Sequence, residues 1–457
     1  MNAAPDRLGP TPYRTTRLLI WSYFWLLLFE GAIRKWLVPG LAGPLVIVRD
    51  PVAVAIYAVA MKEGCFPRGR FAPMVFALAA LCGIASAIIL PEALAITLYG
   101  LRANFLHLPL VLVLPMVLTP RDLRRVGLWT LWVAPFMALL VYDQFMSPAD
   151  AWINRGAGEG ATQIESAYEK IRPAGTFSYS TGLISYLTLL GGFLFYGYLK
   201  RGTFPRWLLY AGAPALFLMV ALSGSRAVLS AMTVLIGAIV LIAVVLPHAR
   251  SGSFKVILVL LAVYTVTSSW TAVQQGYDVL NFRLEGGGGV KEGLVDRYVE
   301  SLLPVHALVA APWFGYGLGL GTNAAVSMLG YDRVFLLAEN EWERVIMESG
   351  PFLGVAYILL RMGVVWQMGA AALARLPKGE TLALLLFAAF ALPMLNGQFA
   401  QPAALGFAVF GAGLCLAACR GENDPAAPPS PTAPPPSAPP KWRVRSRSRY
   451  SEKLHGS

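Results

Sequence analysis

The chain predicts an all-α integral membrane protein of about twelve spans. Three observations carry that expectation. Of 457 residues, 56% are hydrophobic and only 14% charged, with a mean hydropathy of +0.59, which excludes an ordinary soluble domain. Apolar runs recur along the chain, and roughly 18 such residues form a helix long enough to cross about 30 Å of hydrocarbon. The runs are apolar on all sides and lack the alternation of a barrel strand, so helices must satisfy the backbone in lipid.

The spans fall at 18–37, 44–61, 72–90, 97–118, 126–146, 178–199, 207–222, 227–247, 254–272, 350–371, 381–396 and 402–419. The first is not a cleavable signal peptide, because Glu30, Arg34, Lys35 and Trp36 follow it instead of a small-residue cleavage site. Orientation follows from the short loops. Arg7, Arg14 and Arg17, then Lys62, Arg68 and Arg70, then Arg121, Arg124 and Arg125 collect on one side. Lys200, Arg201 and Arg206, Arg250 and Lys255, and Arg375 and Lys378 continue the pattern on that side. Every second connection is basic, so both termini are expected in the cytoplasm. The net charge of +12 is mostly this signal plus the tail and calls for no nucleic acid.

Residues 1–420 thus read as one polytopic domain with two long outer segments, 147–177 and 273–349, the second preceding the tenth span. Within it, 295–311 reads as an amphipathic helix along the interface. Residues 421–457, with "PAAPPSPTAPPPSAPP" and "KWRVRSRSRY", read as a disordered cytoplasmic tail. The four cysteines lie in spans or near the cytoplasmic face and imply no disulfide framework. The four histidines show no metal-ligand spacing, so neither a metal nor another cofactor is expected.

The outer side carries charges that the orientation bias does not explain. Arg226 sits in the turn Ser223–Arg226 between two spans, and Arg34, Lys35, Arg49, Arg102, Arg172, Arg297 and Arg344 lie at outer span ends or in outer loops. A lone arginine there would be a snorkelling helix end, and Glu30 and Asp50 could neutralise some of the others as ion pairs. Several guanidiniums on one face instead suggest a bound anion, since the planar fork suits phosphate oxygens.

At these residues the chain resembles the O-antigen ligase/polymerase superfamily of bacterial membrane glycosyltransferases. "LSGSRAVLSA" is similar to that family's serine–arginine turn, and "RPAGTFSYSTGLISYL" to its glycine–threonine–phenylalanine stretch. "DRYVESLLPVHALVAAPWFGYGLGLGTN" resembles its arginine-bearing outer helix with a glycine signature, and "ENEWERVIMESGPFLG" its histidine–asparagine stretch. "FEGAIRKWLVPGLAGPLVIVRDP" also resembles a subgroup of uncharacterised members. The resemblance implies a GT-C-like bundle in the bacterial inner membrane with a large periplasmic loop. It implies transfer of a glycan from an undecaprenyl-pyrophosphate carrier to a lipid-linked chain, lipid or protein acceptor, without metal and with inversion. On this reading Arg226, Arg297, Arg172 and Arg102 bind the pyrophosphate, with Asn340, Glu348, Arg34 and Arg49 in support.

One position departs from the family. Glu339 stands where the histidine is common, which leaves the identity of the general base open. A partly desolvated carboxylate can serve. Asn340 and Glu343 read instead as a capping box opening span ten. Nothing in the sequence separates polymerase from ligase; polymerase is slightly favoured because a ligase is expected to keep the histidine. A lipid-linked glycan flippase is the alternative, opposed by the lack of repeated broken spans and of mid-span charges. A non-catalytic partner of a polysaccharide assembly system is a third reading.

Overall fold

A computed structural model describes residues 13–157, 163, 168, 170–284, 304–322, 325 and 340–420. By internal contacts the chain divides into residues 1–424 and 425–457, and only the first unit contains described residues.

Among the described residues the structure is helical and has no strand. The principal helices are α1 (Arg14–Ala32), α2 (Arg49–Lys62), α3 (Phe71–Ile89), α4 (Leu94–Leu101), α5 (Leu110–Val117), α6 (Pro120–Met146), α7 (Ser180–Leu199) and α8 (Arg206–Leu222). They continue as α9 (Arg226–Val245), α10 (Arg250–Thr267), α11 (Thr271–Leu284), α12 (Val305–Ala310), α13 (Glu341–Arg375), α14 (Thr381–Asn396) and α15 (Pro402–Ala418). Nine helical segments among the described residues are long and apolar enough to cross a membrane, and three shorter apolar helices accompany them: Arg206–Leu222, Thr381–Asn396 and Pro402–Ala418. Each segment read as a span from the sequence falls mainly on helix, with non-helical stretches at 46–48, 107–109 and 268–270 interrupting three of them.

Burial sorts these helices. The Ser180–Leu199 helix, α7, is 72% buried and packs against α6, α8, α9, α14 and α15, so it is the central post. The Pro247–Thr267 segment is only 11% buried and turns Phe254, Leu258, Leu261 and Val266 outward. An unpartnered apolar surface of that kind is what lipid contact requires. Local sequence sets the helix ends. Thr119 caps α6 in a reciprocal capping box with Asp122, and Arg17 of α1 pairs with the same carboxylate at 3.2 Å.

The helix that becomes span ten opens at the N-cap position expected for Asn340, ahead of the apolar span. The helix begins at Glu341, nine residues before 350, and breaks at Gly350, whose φ of 78° is open to glycine but strained for other residues. The break frees carbonyls, and the Pro312–Thr322 loop takes them. Tyr316 N donates to Met347 O at 2.8 Å and Gly317 N to Glu348 O at 3.1 Å. A Cβ on Gly315 or on Gly350 would collide with the opposite backbone. The glycine-rich signature is therefore a clasp that fits backbone against backbone.

Candidate functional site

A cavity of about 540 Å³ opens where the ends of α7, α9, α13 and α14 meet, a size suited to an organic ligand. The turn between α8 and α9 builds one wall. Ser223 Oγ donates to Val220 O at 2.8 Å and accepts from Ser225 N at 3.3 Å, while Gly224 takes a φ of 53°. These bonds reverse the chain within three residues and launch α9 at Arg226. Ser225, Arg226 and Ala227 all line the cavity. The amides of a first helical turn lie outside the helix's own ladder and favour negative charge. Arg226 is half-buried and has no ion pair among the described residues. Arg172, from the segment entering α7, lines the same cavity.

The other walls are rich in hydroxyls and amides. Ser185 and Ser230 donate to the carbonyls of Thr181 and Arg226 at 3.0 Å each, and Thr188 to that of Ile184 at 2.8 Å. With their protons engaged by backbone, these oxygens face the cavity as acceptors. Asn340, Asn396, Gln398, Gln401 and the carboxylate Glu341 add to the polar lining, and Ile184, Val234, Leu392 and Pro393 supply apolar wall. The cavity thus combines two guanidiniums with many acceptors, a lining suited to a ligand that is anionic at one end and hydroxyl-rich at the other.

Asn340 stands at the N-cap position of α13, but its side chain makes no cap bond, so the expected capping box with Glu343 does not form. Its side chain lines the cavity instead. Beside it, Glu341 is nearly enclosed and accepts four hydrogen bonds: from Arg344 Nε at 3.0 Å and Nη2 at 2.8 Å, Arg361 Nη1 at 3.0 Å, and Phe399 N at 3.1 Å. Glu348 accepts from Arg344 Nη1 at 2.8 Å and from Gly321 N at 2.7 Å, tying the glycine clasp to the same cluster. Asn104 Oδ1 receives the remaining Arg344 Nη2 bond at 2.7 Å. Arg361 also donates to Met394 O and Gly397 O, both at 2.9 Å, and fixes the turn that follows α14. The cluster holds the cavity rim rather than presenting a free base.

Arg361 lies within the predicted span 350–371 and is fully buried, which corrects the expectation that mid-span charges are lacking. Sequence reasoning also passed over Glu341 as a site residue. Its spacing of three to Arg344 and seven to Glu348 places all three on one helix face, and that signal was legible.

Among the described residues, the other charges singled out from the sequence are held by one another or by polar groups of the chain. Glu30 accepts from Arg34 at 3.3 Å and from Arg49 at 2.9 Å. Arg34 also donates to Ser178 Oγ at 2.9 Å, and buried Lys35 to Gly175 O at 2.6 Å. Thr176 Oγ1 donates to Leu28 O at 2.7 Å, and a Cβ on Gly31 would come within 2.5 Å of Thr176 O. The N-terminal "FEGAIRKW" and the "AGTFS" stretch are thereby stitched into one unit. Arg102 pairs with Asp50, which also bonds His107 at 3.0 Å.

Of the site residues expected from sequence, the structure brings Arg226, Arg172 and Asn340 to one cavity. Arg34, Arg49, Arg102 and Glu348 do not line it and are engaged in the pairs just described. Arg297 and Glu339 lie outside the described residues. Compared with protein-family models the chain finds no match, and compared with curated proteins it finds none either.

Proposed function

We propose that this chain is a glycosyltransferase of the bacterial inner membrane that polymerises or ligates undecaprenyl-pyrophosphate-linked oligosaccharide at the periplasmic face. The observation that carries this reading is the meeting of Arg226 and Arg172 at a cavity lined besides by hydroxyls, amides and apolar wall, whose one carboxylate, Glu341, is engaged by Arg344 and Arg361. In the proposed reaction an acceptor hydroxyl oxygen bonds to the anomeric carbon while the bond from that carbon to the phosphate oxygen breaks. The electron pair leaves with the lipid pyrophosphate, whose growing charge is stabilised by Arg226, Arg172 and the first amides of α9. Arg297 is assigned to the same anion. The acceptor's proton goes to a general base, for which Glu339 is proposed. Glu341, saturated by four hydrogen bonds, serves as a positioning residue. The twelve-span threading with cytoplasmic termini belongs to the same proposal, and it puts the cavity on the periplasmic side.

Purified protein supplied with radiolabelled carrier-linked glycan and acceptor tests the reading. Arg226→Ala is expected to abolish product while the protein accumulates normally, and Arg226→Lys to be poor because an ammonium cannot grip two oxygens as a fork does. Full transfer by Arg226→Ala would reduce that residue to a helix end. Movement of labelled lipid across the bilayer without bond transfer would make the chain a flippase.

A further inference from the structure

A second cavity, of about 430 Å³, lies at the other end of the bundle from the first. The first is lined from the start of α7 and α13 and the end of α14; the second from beyond the end of α7 and α13, the start of α14 and the end of α15. Its charge is one-sided. Arg124, Lys200, Arg201, Lys378 and Arg420 line it against a single carboxylate, Glu380. That carboxylate stands 3.8 Å from Arg375, which already draws on its charge.

Two of the cations are held in place by backbone. Arg124 Nε donates to Thr203 O at 2.6 Å and its Nη2 to Gly202 O at 3.3 Å, and Arg420 donates to Pro115 O. A guanidinium anchored in this way keeps further N–H groups for a ligand. Arg201 and Lys378 are exposed and have no partner among the described residues, so their charges are not neutralised by the fold. Buried Phe193 and Phe204 and half-buried Leu382 supply apolar wall beside these exposed cations. Exposed cations next to buried apolar side chains match a phosphate head joined to a hydrocarbon body.

We propose that this cavity is a binding site for the phosphate of an acidic glycerophospholipid, taken from the leaflet at that end of the bundle. The shared chemistry is a phosphate anion, and free inorganic phosphate is the other source of it. The apolar walls favour the lipid, which gains from chain burial where inorganic phosphate does not. The site is independent of the glycan cavity and shares no lining residue with it.

The test is retention of phospholipid by native mass spectrometry after release from nanodiscs of phosphatidylcholine containing phosphatidylglycerol. The full chain is expected to retain phosphatidylglycerol in preference to phosphatidylcholine. Arg201→Gln with Lys378→Gln, two exposed positions whose change does not disturb packing, is expected to weaken that retention by about 25-fold, at about fivefold for each basic residue lost. Arg226→Gln, at the other cavity, is expected to leave it unchanged. A parallel arm adds inorganic phosphate before release, and the phosphatidylglycerol adduct is expected to survive. Its displacement by phosphate would make this a plain phosphate site and overturn the lipid proposal. Equal retention of the two lipids, or undiminished retention by the double variant, would overturn it as well.

Discussion

Glu341→Gln is the most telling single change in the buried cluster. Glu341, Glu348, Arg344 and Arg361 sum to zero charge, and their side chains are at most 5% exposed. The substitution leaves one uncompensated positive charge in a low-dielectric interior. Arg344 retains Glu348 at 2.8 Å and Asn104 at 2.7 Å, so it loses little. Arg361 keeps two carbonyls and its stack on Phe399, 3.7 Å from the ring centroid, but loses its carboxylate. Breaking a buried pair from one side costs about 3–5 kcal/mol, and the surviving contacts place this case near about 3 kcal/mol. The expected result is a fall of roughly 3–4 °C in the apparent melting temperature of the detergent-purified protein, since a chain of this length spreads the loss over a large unfolding entropy. Arg361→Met alone should cost a comparable amount, because Glu341 is then short of a cation. Combining the two restores neutrality, so the double variant should lose less than the sum, with a coupling of about 1.5 kcal/mol or more. Additivity within about 0.5 kcal/mol would refute the view of these groups as one electrostatic unit. Unchanged stability in Glu341→Gln together with lost glycan transfer would move Glu341 from positioning to chemistry.

Glu339→Gln, two residues away, is expected to do the reverse: stability unchanged and transfer reduced by about 10² or more, the usual share of general base catalysis. Normal turnover in that variant would leave the reaction to electrostatic stabilisation of the leaving group. Gly350→Ala forces a side chain into a left-handed backbone against the Trp313 carbonyl. It should unseat the Pro312–Thr322 clasp and expose it to limited proteolysis, at a cost of about 1–3 kcal/mol from backbone strain alone; wild-type protease resistance would count against the clasp. A cytoplasmic reporter fused after Arg250 and a periplasmic reporter near Gly288 should both be active. A cytoplasmic signal from Gly288 would invert the proposed placement of the glycan cavity.

The helices were legible because hydrocarbon tolerates so few sequence patterns. A run such as 227–247 leaves no alternative to a helix, and Arg226–Val245 is one. The start of α13 was legible in part: Asn340 reads as its N-cap and the helix does begin at Glu341, but the capping bonds with Glu343 do not form. The apolar span itself begins only at 350, because residues 341–349 carry four charges, of which Arg344 bridges Glu341 and Glu348. The convergence of Arg226 and Arg172 was anticipated from their shared side of the bundle. The diversion of Arg102 to Asp50, and of Arg34 and Arg49 to Glu30, was foreshadowed by the nearby carboxylates. What sequence did not disclose is which guanidinium would find a carboxylate on another helix, as Arg49 finds Glu30 across 19 residues and Arg102 finds Asp50 across 52.

The stitching of the N-terminal helix has a consequence for the order of biosynthesis. Lys35 donates to a carbonyl 140 residues downstream, and Arg49 to Pro402 O, 353 residues downstream. At a translation rate of about 5–20 residues per second, Lys35 waits roughly 7–28 s for its acceptor and Arg49 roughly 18–70 s for Pro402. During that interval Lys35 has left the ribosome without its native hydrogen-bond partner. The first helix therefore needs shelter at the insertion machinery until later segments arrive, and a ribosome stalled before Pro402 should leave α2 accessible to labelling reagents that the finished protein excludes.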